Sequence, residues 1–336
     1  MKKLFALLLS VILVLTALTS CFPTVDDTPN TPDEPVTIRI GYMAGPTGMG
    51  MAKLIHDNGE VEGNDKYVFT KYADTNAAKT DLAAGKIDII CLPTNEAAVY
   101  FTKVDSSAKV LAINCLNSLY FITNGGSTVT SLADLEGQTV YTCKNGTPRT
   151  VLEHIIKELE LDITVSYEID GKVILTPADL SAQAIAGNLP NAVMPEPLIT
   201  STLLKINSTA SDDSGKWAVK INLANEWEKI SDTPVTMGCI LAGGDFAKAN
   251  KDAIDAFLAE YKASVEFIGN SANSDSAAEY VVETGVMAAA PAAKMALKNL
   301  GSAISYIDGK DMKTALISFY QAIGIALPAD DFYYEK

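Results

Sequence analysis

Four short segments hold residues able to grip a small polar group: Gly45-Pro46-Thr47-Gly48-Met49-Gly50, Pro93-Thr94-Asn95, Lys144-Asn145-Gly146-Thr147-Pro148 and Pro195-Glu196-Pro197. Each stands where an apolar, strand-like run gives way to a helix-like one. Helix starts expose backbone N–H groups at the positive end of the dipole, which favours an anionic or strongly polar ligand group. Gly45, Gly48 and Gly50 let the backbone come close to a ligand, and Met49 shares their loop. Thr47, Thr94 and Thr147 are expected N-caps, and Pro148 suits a first helical position. The alternative is that these are simply well-capped connections, as any α/β protein needs.

Three single residues add to the segments. The chain has two arginines, Arg39 inside the first strand and Arg149 at a helix start. A cation in a first turn opposes the macrodipole, so Arg149 is a candidate fork for a carboxylate or sulfonate, against the commoner solvated surface arginine. Glu196 is the reverse case, because a carboxylate at a helix start is favourable without any ligand. Tyr120 follows a strand and can stack on a ring or donate its hydroxyl, or be an ordinary core aromatic.

Other chemistries have little material. His56 and His154 are the only histidines, both following apolar helical positions and neither in a ligand-spaced cluster, so they read as structural or solvent-facing and no catalytic residue, metal or cofactor is expected. Cys91, Cys115, Cys143 and Cys239 lie in apolar, strand-like surroundings without a CxxC, and free buried thiols are expected. Trp217 and Trp227 read as packing residues. The 336 residues carry 41 acidic and 26 basic side chains, a formal charge of −15, which argues against a nucleic-acid partner. An apolar content of 48% is enough to fill a core.

The chain opens with Lys2, Lys3 and an apolar run from Leu4 to Leu18, an export signal too short to favour a spanning helix. Leu18-Thr19-Ser20-Cys21 resembles a bacterial lipobox, which implies lipidation of Cys21 after removal of residues 1–20. Residues 22–35 hold four prolines and four acids and read as an extended tether. At roughly 3 Å per residue it reaches up to about 40 Å from the membrane. The expected location is extracytoplasmic, on the outer face of the cytoplasmic membrane, held by lipid alone.

The elements that position the segments alternate strand and helix, which implies an α/β fold with parallel sheets. The plan recurs: Ala84-Gly85 precedes Pro93 as Ala186-Gly187 precedes Pro195, and Gly45 and Gly146 stand 40 and 41 residues before those glycines. Two similar lobes follow, 36–125 plus 235–336 and 126–234, with crossings near Asn124–Ser127 and Thr233–Gly238 suited to hinge motion. After Val235–Ala242 only helices are expected, at 250–268, 274–284, 291–299 and 310–324.

The runs IRIGYMAGPTGMGMAKLI, AAGKIDIICLPTNEAAV, MPEPLITSTLL and LPADDFYY resemble, in order and spacing across most of residues 36–334, importer-type solute-binding lipoproteins. The relatives are the nitrate, sulfonate and taurine binding proteins and those for thiamine pyrimidine precursors. The resemblance implies a two-lobed periplasmic-binding-protein fold, type II-like. It also implies a monomer that captures a small organic solute and hands it to an ABC permease with its ATPase. It places Glu196 at the cleft, able to meet a ligand amine or ring nitrogen, and it places no arginine at position 149. Helix starts and Arg149 suit a small anion, whereas Glu196, Tyr120 and Met43, Met49 and Met51 suit a flat heterocycle. An organic solute with a polar head reconciles them. An enzyme on the same fold and a ligand-presenting sensor component are the alternatives; flavins also belong among the solutes to try.

Overall fold

The first strand, β1 (Ile38–Met43), is buried at all but one position, as expected of a strand covered on both faces. The computed structural model to which it belongs describes residues 36–59 and 66–336. The export signal, Cys21 and the proline-rich tether lie outside the described residues, and Thr37–Lys336 forms one compact unit.

β1 pairs in parallel with β2 (Tyr67–Tyr72) and with β3 (Ile89–Pro93). The helix Thr75–Ala83 makes the crossover, capped by the Asp74 side chain, which accepts from the N–H groups of Asn76 and Ala77. Beyond β3 the sheet is antiparallel: β12 (Thr236–Ala242) lies between β3 and β4 (Lys109–Leu116), and β13 (Ile304–Ile307) closes the edge against β4. In this sheet the expectation of parallel strands therefore holds for the pairs that β1 makes with β2 and β3. β12 enters from the far end of the chain and reverses the direction. The four-residue β13 also overturns the reading that only helices follow Ala242.

A second sheet has β5 (Leu119–Asn124) at its centre, antiparallel to β10 (Asn191–Pro195) and β11 (Trp217–Asn222). Beside it β6 (Thr139–Tyr141) and β7 (Thr164–Ser166) pair in parallel, and β8 (Glu168–Ile169) and β9 (Lys172–Val173) form a small hairpin. The chain thus changes sheet at Asn117-Ser118, because β5 finds both its partners in the second sheet. Asn117 has φ +43, and its side chain accepts from Val235 N on the returning segment at 3.0 Å.

The recurring punctuation has a backbone cause. Gly85 and Gly187 each follow a helix with φ +65 and +74, the left-handed stop that glycine supplies, and each leads to a strand ending in proline. The long helix Lys251–Gly269 buries Ile254, Phe257, Leu258, Tyr261, Val265 and Ile268 at helical spacing. On a separate cluster, Gly309–Ala322 buries Met312, Leu316 and Phe319. That cluster also takes in Val193 and Trp227, so it joins elements of both sheets.

Asp88 staples β3 to β1 where the two strands begin. Its Oδ2 accepts from Arg39 N at 2.8 Å and Arg39 Nε at 2.9 Å, Oδ1 pairs with Nη2, and Asp88 N donates to Arg39 O at 2.7 Å. Arg39 Nη1 reaches Gly85 O at 2.7 Å, a cation at a helix C-terminus where the dipole favours it. Asp88→Ala is expected to cost about 2–3 kcal/mol, mostly from the stranded N–H and the broken charged bonds. Chemical denaturation checks this, and a change below about 0.5 kcal/mol, the level of an ordinary surface substitution, would show that the staple adds nothing.

Candidate functional site

The ends of β1, β3 and β10 and the start of β12 meet around a cavity of about 550 Å³. Strand carboxyl ends are where open α/β sheets bind ligands. Met43 to Thr47 form one wall, Pro93, Cys115 and Met237 the floor from the first sheet. Pro195 to Leu198 and Ser201 form the wall from the second sheet. The remaining side is Val286 to Ala289 with Ala292, from the turn between the helices Ser274–Glu283 and Ala290–Leu300.

The Gly45 loop is closed by its own backbone. Gly45, with φ +128 and ψ 179, is the N-cap of the short helix Pro46–Met49, and Met49 N returns to Gly45 O at 3.0 Å. The side chain of Thr47 packs over Gly238, where an added Cβ would lie 2.2 Å from its methyl group.

A polar knot closes the opposite wall. The Glu196 side chain is 1% exposed. Its Oε1 accepts from Thr200 Oγ1 at 2.9 Å and Asn299 Nδ2 at 2.8 Å, and its Oε2 accepts from Thr200 N at 3.1 Å. Burial pushes the Glu196 carboxyl up, and the bonds from Asn299 and Thr200 pull it partly back. Tyr120 Oη donates to Asn299 O at 2.8 Å, and burial, then the charge of Glu196, push the phenol up to about 12. Asn299, on the helix Ala290–Leu300, thereby ties that helix to β5, to Glu196 and to the helix Leu198–Thr209.

Of the expected ligand contacts, Gly45, Thr47, Pro93 and Glu196 line this cavity. Gly48 and Met49 are buried beneath the loop. Thr94 is buried too, its hydroxyl donating to Thr236 O at 2.6 Å. Tyr120 holds Asn299 behind the wall. Thr147 Oγ1 meets Asn95 Oδ1 at 3.2 Å, so two of the four segments touch each other, away from the lining. Asn145 and Gly146 are exposed at the start of the helix Thr147–Glu158.

Arg149 stands outside the lining: its guanidinium lies 5.4 Å over the Tyr167 ring, and Nε is 3.8 Å from Glu153 Oε2. The charge set against the dipole thus has a local partner one turn on. The expected threonine caps are also corrected. Gly45, Pro93 and Gly146 are the N-caps, and the Thr94 and Thr147 hydroxyls bond across the fold instead.

Sequence reading missed the Val286–Ala292 wall, Met237 and Ser201. Its one available signal was Val286-Met287-Ala288-Ala289, an apolar run without a polar residue that leads into a helix. Cys91, Cys115, Cys143 and Cys239 are free and buried, as expected, and burial raises the Cys115 thiol to about 12. Among the described residues no group of His, Cys, Asp and Glu is placed to hold a metal ion. Among them, too, no helix is long and apolar enough to cross a membrane.

This fold is shared by the substrate-binding proteins of ABC transporters. The chain is similar to an ABC transporter protein from Parabacteroides distasonis (19% identity, 90% of this chain and 100% of that one, TM-score 0.69). It is similar also to the periplasmic aliphatic sulphonate binding protein SsuA of Escherichia coli (17%, 90% and 93%, TM-score 0.66). A third is the periplasmic nitrate-binding protein NrtA of Synechocystis (14%, 87% and 82%, TM-score 0.60). No family model and no curated protein matches by sequence.

Proposed function

We propose that this chain is the extracytoplasmic solute-binding component of an ABC importer, with a binding rather than a catalytic site. The observation that carries the reading is the cavity itself. It lies at strand ends of two separate sheets, on a fold shared with binding proteins for sulphonates and nitrate. In this reading the lobes are 36–116 with 236–336 and 119–222, joined at Asn117-Ser118 and between Asn222 and Thr236. A solute touching both lobes favours the closed state, and the closed protein docks on the permease. Cys21 carries the lipid anchor, residues 22–35 the tether, and the receptor acts as a monomer.

The test uses the exported chain with Cys21→Ser. Native mass spectrometry identifies any small molecule carried through purification; removed and added back at a hundred times its dissociation constant, that molecule adds about 2.7 kcal/mol. The melting temperature then rises by several degrees and the radius of gyration falls. Binding with an unchanged radius, or conversion of the molecule to a product, would sink the receptor reading. In cells, Cys21→Ser is expected to move the protein from the membrane fraction to the soluble exported fraction. Retention in the membrane would refute the lipid anchor.

A further inference from the structure

Beneath the cavity, behind Thr47 and Cys115, lies a polar side chain with nothing to bond. Asn114, in β4, is fully buried, and neither its Oδ1 nor its Nδ2 has a hydrogen-bond partner among the described residues. Burial raises the pKa of Cys91 and of Tyr261, and Asn114 lies near enough to both to offset part of that rise. Its amide is nevertheless aligned for a hydrogen bond with neither, and the Tyr261 hydroxyl is likewise buried without a partner. An unbonded buried amide costs free energy on its donor and on its acceptor side. Departures of this kind from a satisfied core concentrate at functional sites.

A single glycine stands between this amide and the cavity. A Cβ built at Gly238 would lie 2.2 Å from Thr47 Cγ2, 2.8 Å from Asn114 Oδ1 and 3.2 Å from Cys115 Cβ. Thr47 and Cys115 line the cavity, so the Thr47 methyl and the Asn114 oxygen are neighbours over one backbone carbon. Any larger residue at position 238 would push them apart. Thr47 is only partly buried, it is not the cap of its helix, and threonine has two χ1 states open to it in a helix. A turn about that one bond carries the methyl off Gly238.

We infer that Asn114 reads the solute: with Thr47 turned aside, its Nδ2 donates to a solute carbonyl and its Oδ1 accepts from the adjacent N–H, as two amides pair. The solute is then one with a carboxamide, lactam or urea edge, an acceptor and a donor side by side. Neither end of the Asn114 amide is committed, so the pair can form in either orientation. Met43, Met237, Met287 and the alanines of the lining suit the apolar remainder. This rests on the receptor reading and adds to it a binding residue and the group it recognises. It asks nothing of Glu196, whose carboxylate stays bonded to Thr200 and Asn299.

The experiment is calorimetry on the exported chain with benzamide and acetophenone, which share a ring and a carbonyl and differ in the N–H donor. Benzamide is expected to bind at least about tenfold more tightly, because acetophenone leaves the Asn114 oxygen unpaired. Asn114→Val is expected to bring the two to equal affinity. Without solute the variant should melt no lower than the unaltered protein, since it loses an unbonded amide and valine suits a buried strand. Benzamide that binds no more tightly than acetophenone overturns the inference, whether or not the variant folds. So does a benzamide preference that survives Asn114→Val. A variant that melts several degrees lower, or does not fold, shows an amide already satisfied within the fold and overturns it too. Yeast extract, tested for a rise in melting temperature, separates this failure from that of the receptor reading. A rise lost in Asn114→Val supports the inference. A rise equal in both proteins overturns it and leaves the receptor standing, and no rise with the unaltered protein counts against both.

Discussion

Gly48→Ala is expected to destabilise the protein by more than about 3 kcal/mol and to abolish the ligand-induced rise in melting temperature. A Cβ built at Gly48 lies 2.1 Å from the Met43 carbonyl oxygen and 3.2 Å from its carbon, with Val286 Cγ2 also at 3.2 Å. The first two are backbone atoms that cannot rotate aside. Met43 ends β1, in register with Tyr72 of β2, so moving its carbonyl means tearing the end of the sheet. Met43 and Val286 both line the cavity, so relief of the clash also deforms the site. Gly45→Ala is the informative control. Nothing lies within 4 Å of its added Cβ, but φ +128 with ψ 179 is a region nearly restricted to glycine. Its cost is backbone strain alone, about 1–3 kcal/mol. Urea unfolding of both variants checks the order, and a Gly48→Ala protein as stable as the unaltered chain would refute the argument.

That loop also shows what a sequence can reveal. Gly45 and Gly146, Gly85 and Gly187, Pro93 and Pro195 were legible because each sets a local backbone state, and a positive φ or a missing N–H does not depend on distant partners. The α/β plan and the buried thiols followed from apolar runs that only a covered strand explains. What stayed hidden was non-local. The Thr94 hydroxyl can cap its helix or bond Thr236 O, and only the arrival of β12 decides between them. Arg149 looked misplaced because Tyr167, eighteen positions away, folds beneath it. The four residues of β13 have one partner strand and no periodicity long enough to read. Val286–Ala292 carries no chemistry of its own, and it becomes a cavity wall only by standing opposite Glu196. Half of the site was thus written in punctuation, and the apolar half was written in tertiary placement.

Trp227→Ala is expected to cost about 3–5 kcal/mol, the range for emptying a large buried aromatic site, and to lower the melting temperature by roughly 10 °C. Trp227 is 1% exposed at the end of the helix Leu223–Trp227, its ring 5.9 Å from Phe319 and 5.3 Å from the His154 ring. Its Nε1 donates to Thr233 O at 2.6 Å, on the segment returning to the first sheet. One side chain therefore fills the space between an element following β11, the helix Thr147–Glu158 and the helix Gly309–Ala322. Trp227→Phe keeps most of the packing and loses the hydrogen bond, and a cost of about 1–2 kcal/mol separates the two contributions.

The same contact sets a pH dependence. Burial lowers the pKa of His154 from its ordinary value of about 6.5. As the pH falls below about 6.5, the unfolded chain takes up a proton that the folded chain resists, so this contribution to stability is lost on the acid side. Opening the site to water in Trp227→Ala weakens that burial, so the variant's stability is expected to vary less between pH 7 and pH 5. His154→Gln in the unaltered background should flatten the curve in the same way. If His154→Gln leaves the acid-side slope unchanged, His154 is not its source and the coupling to Trp227 fails.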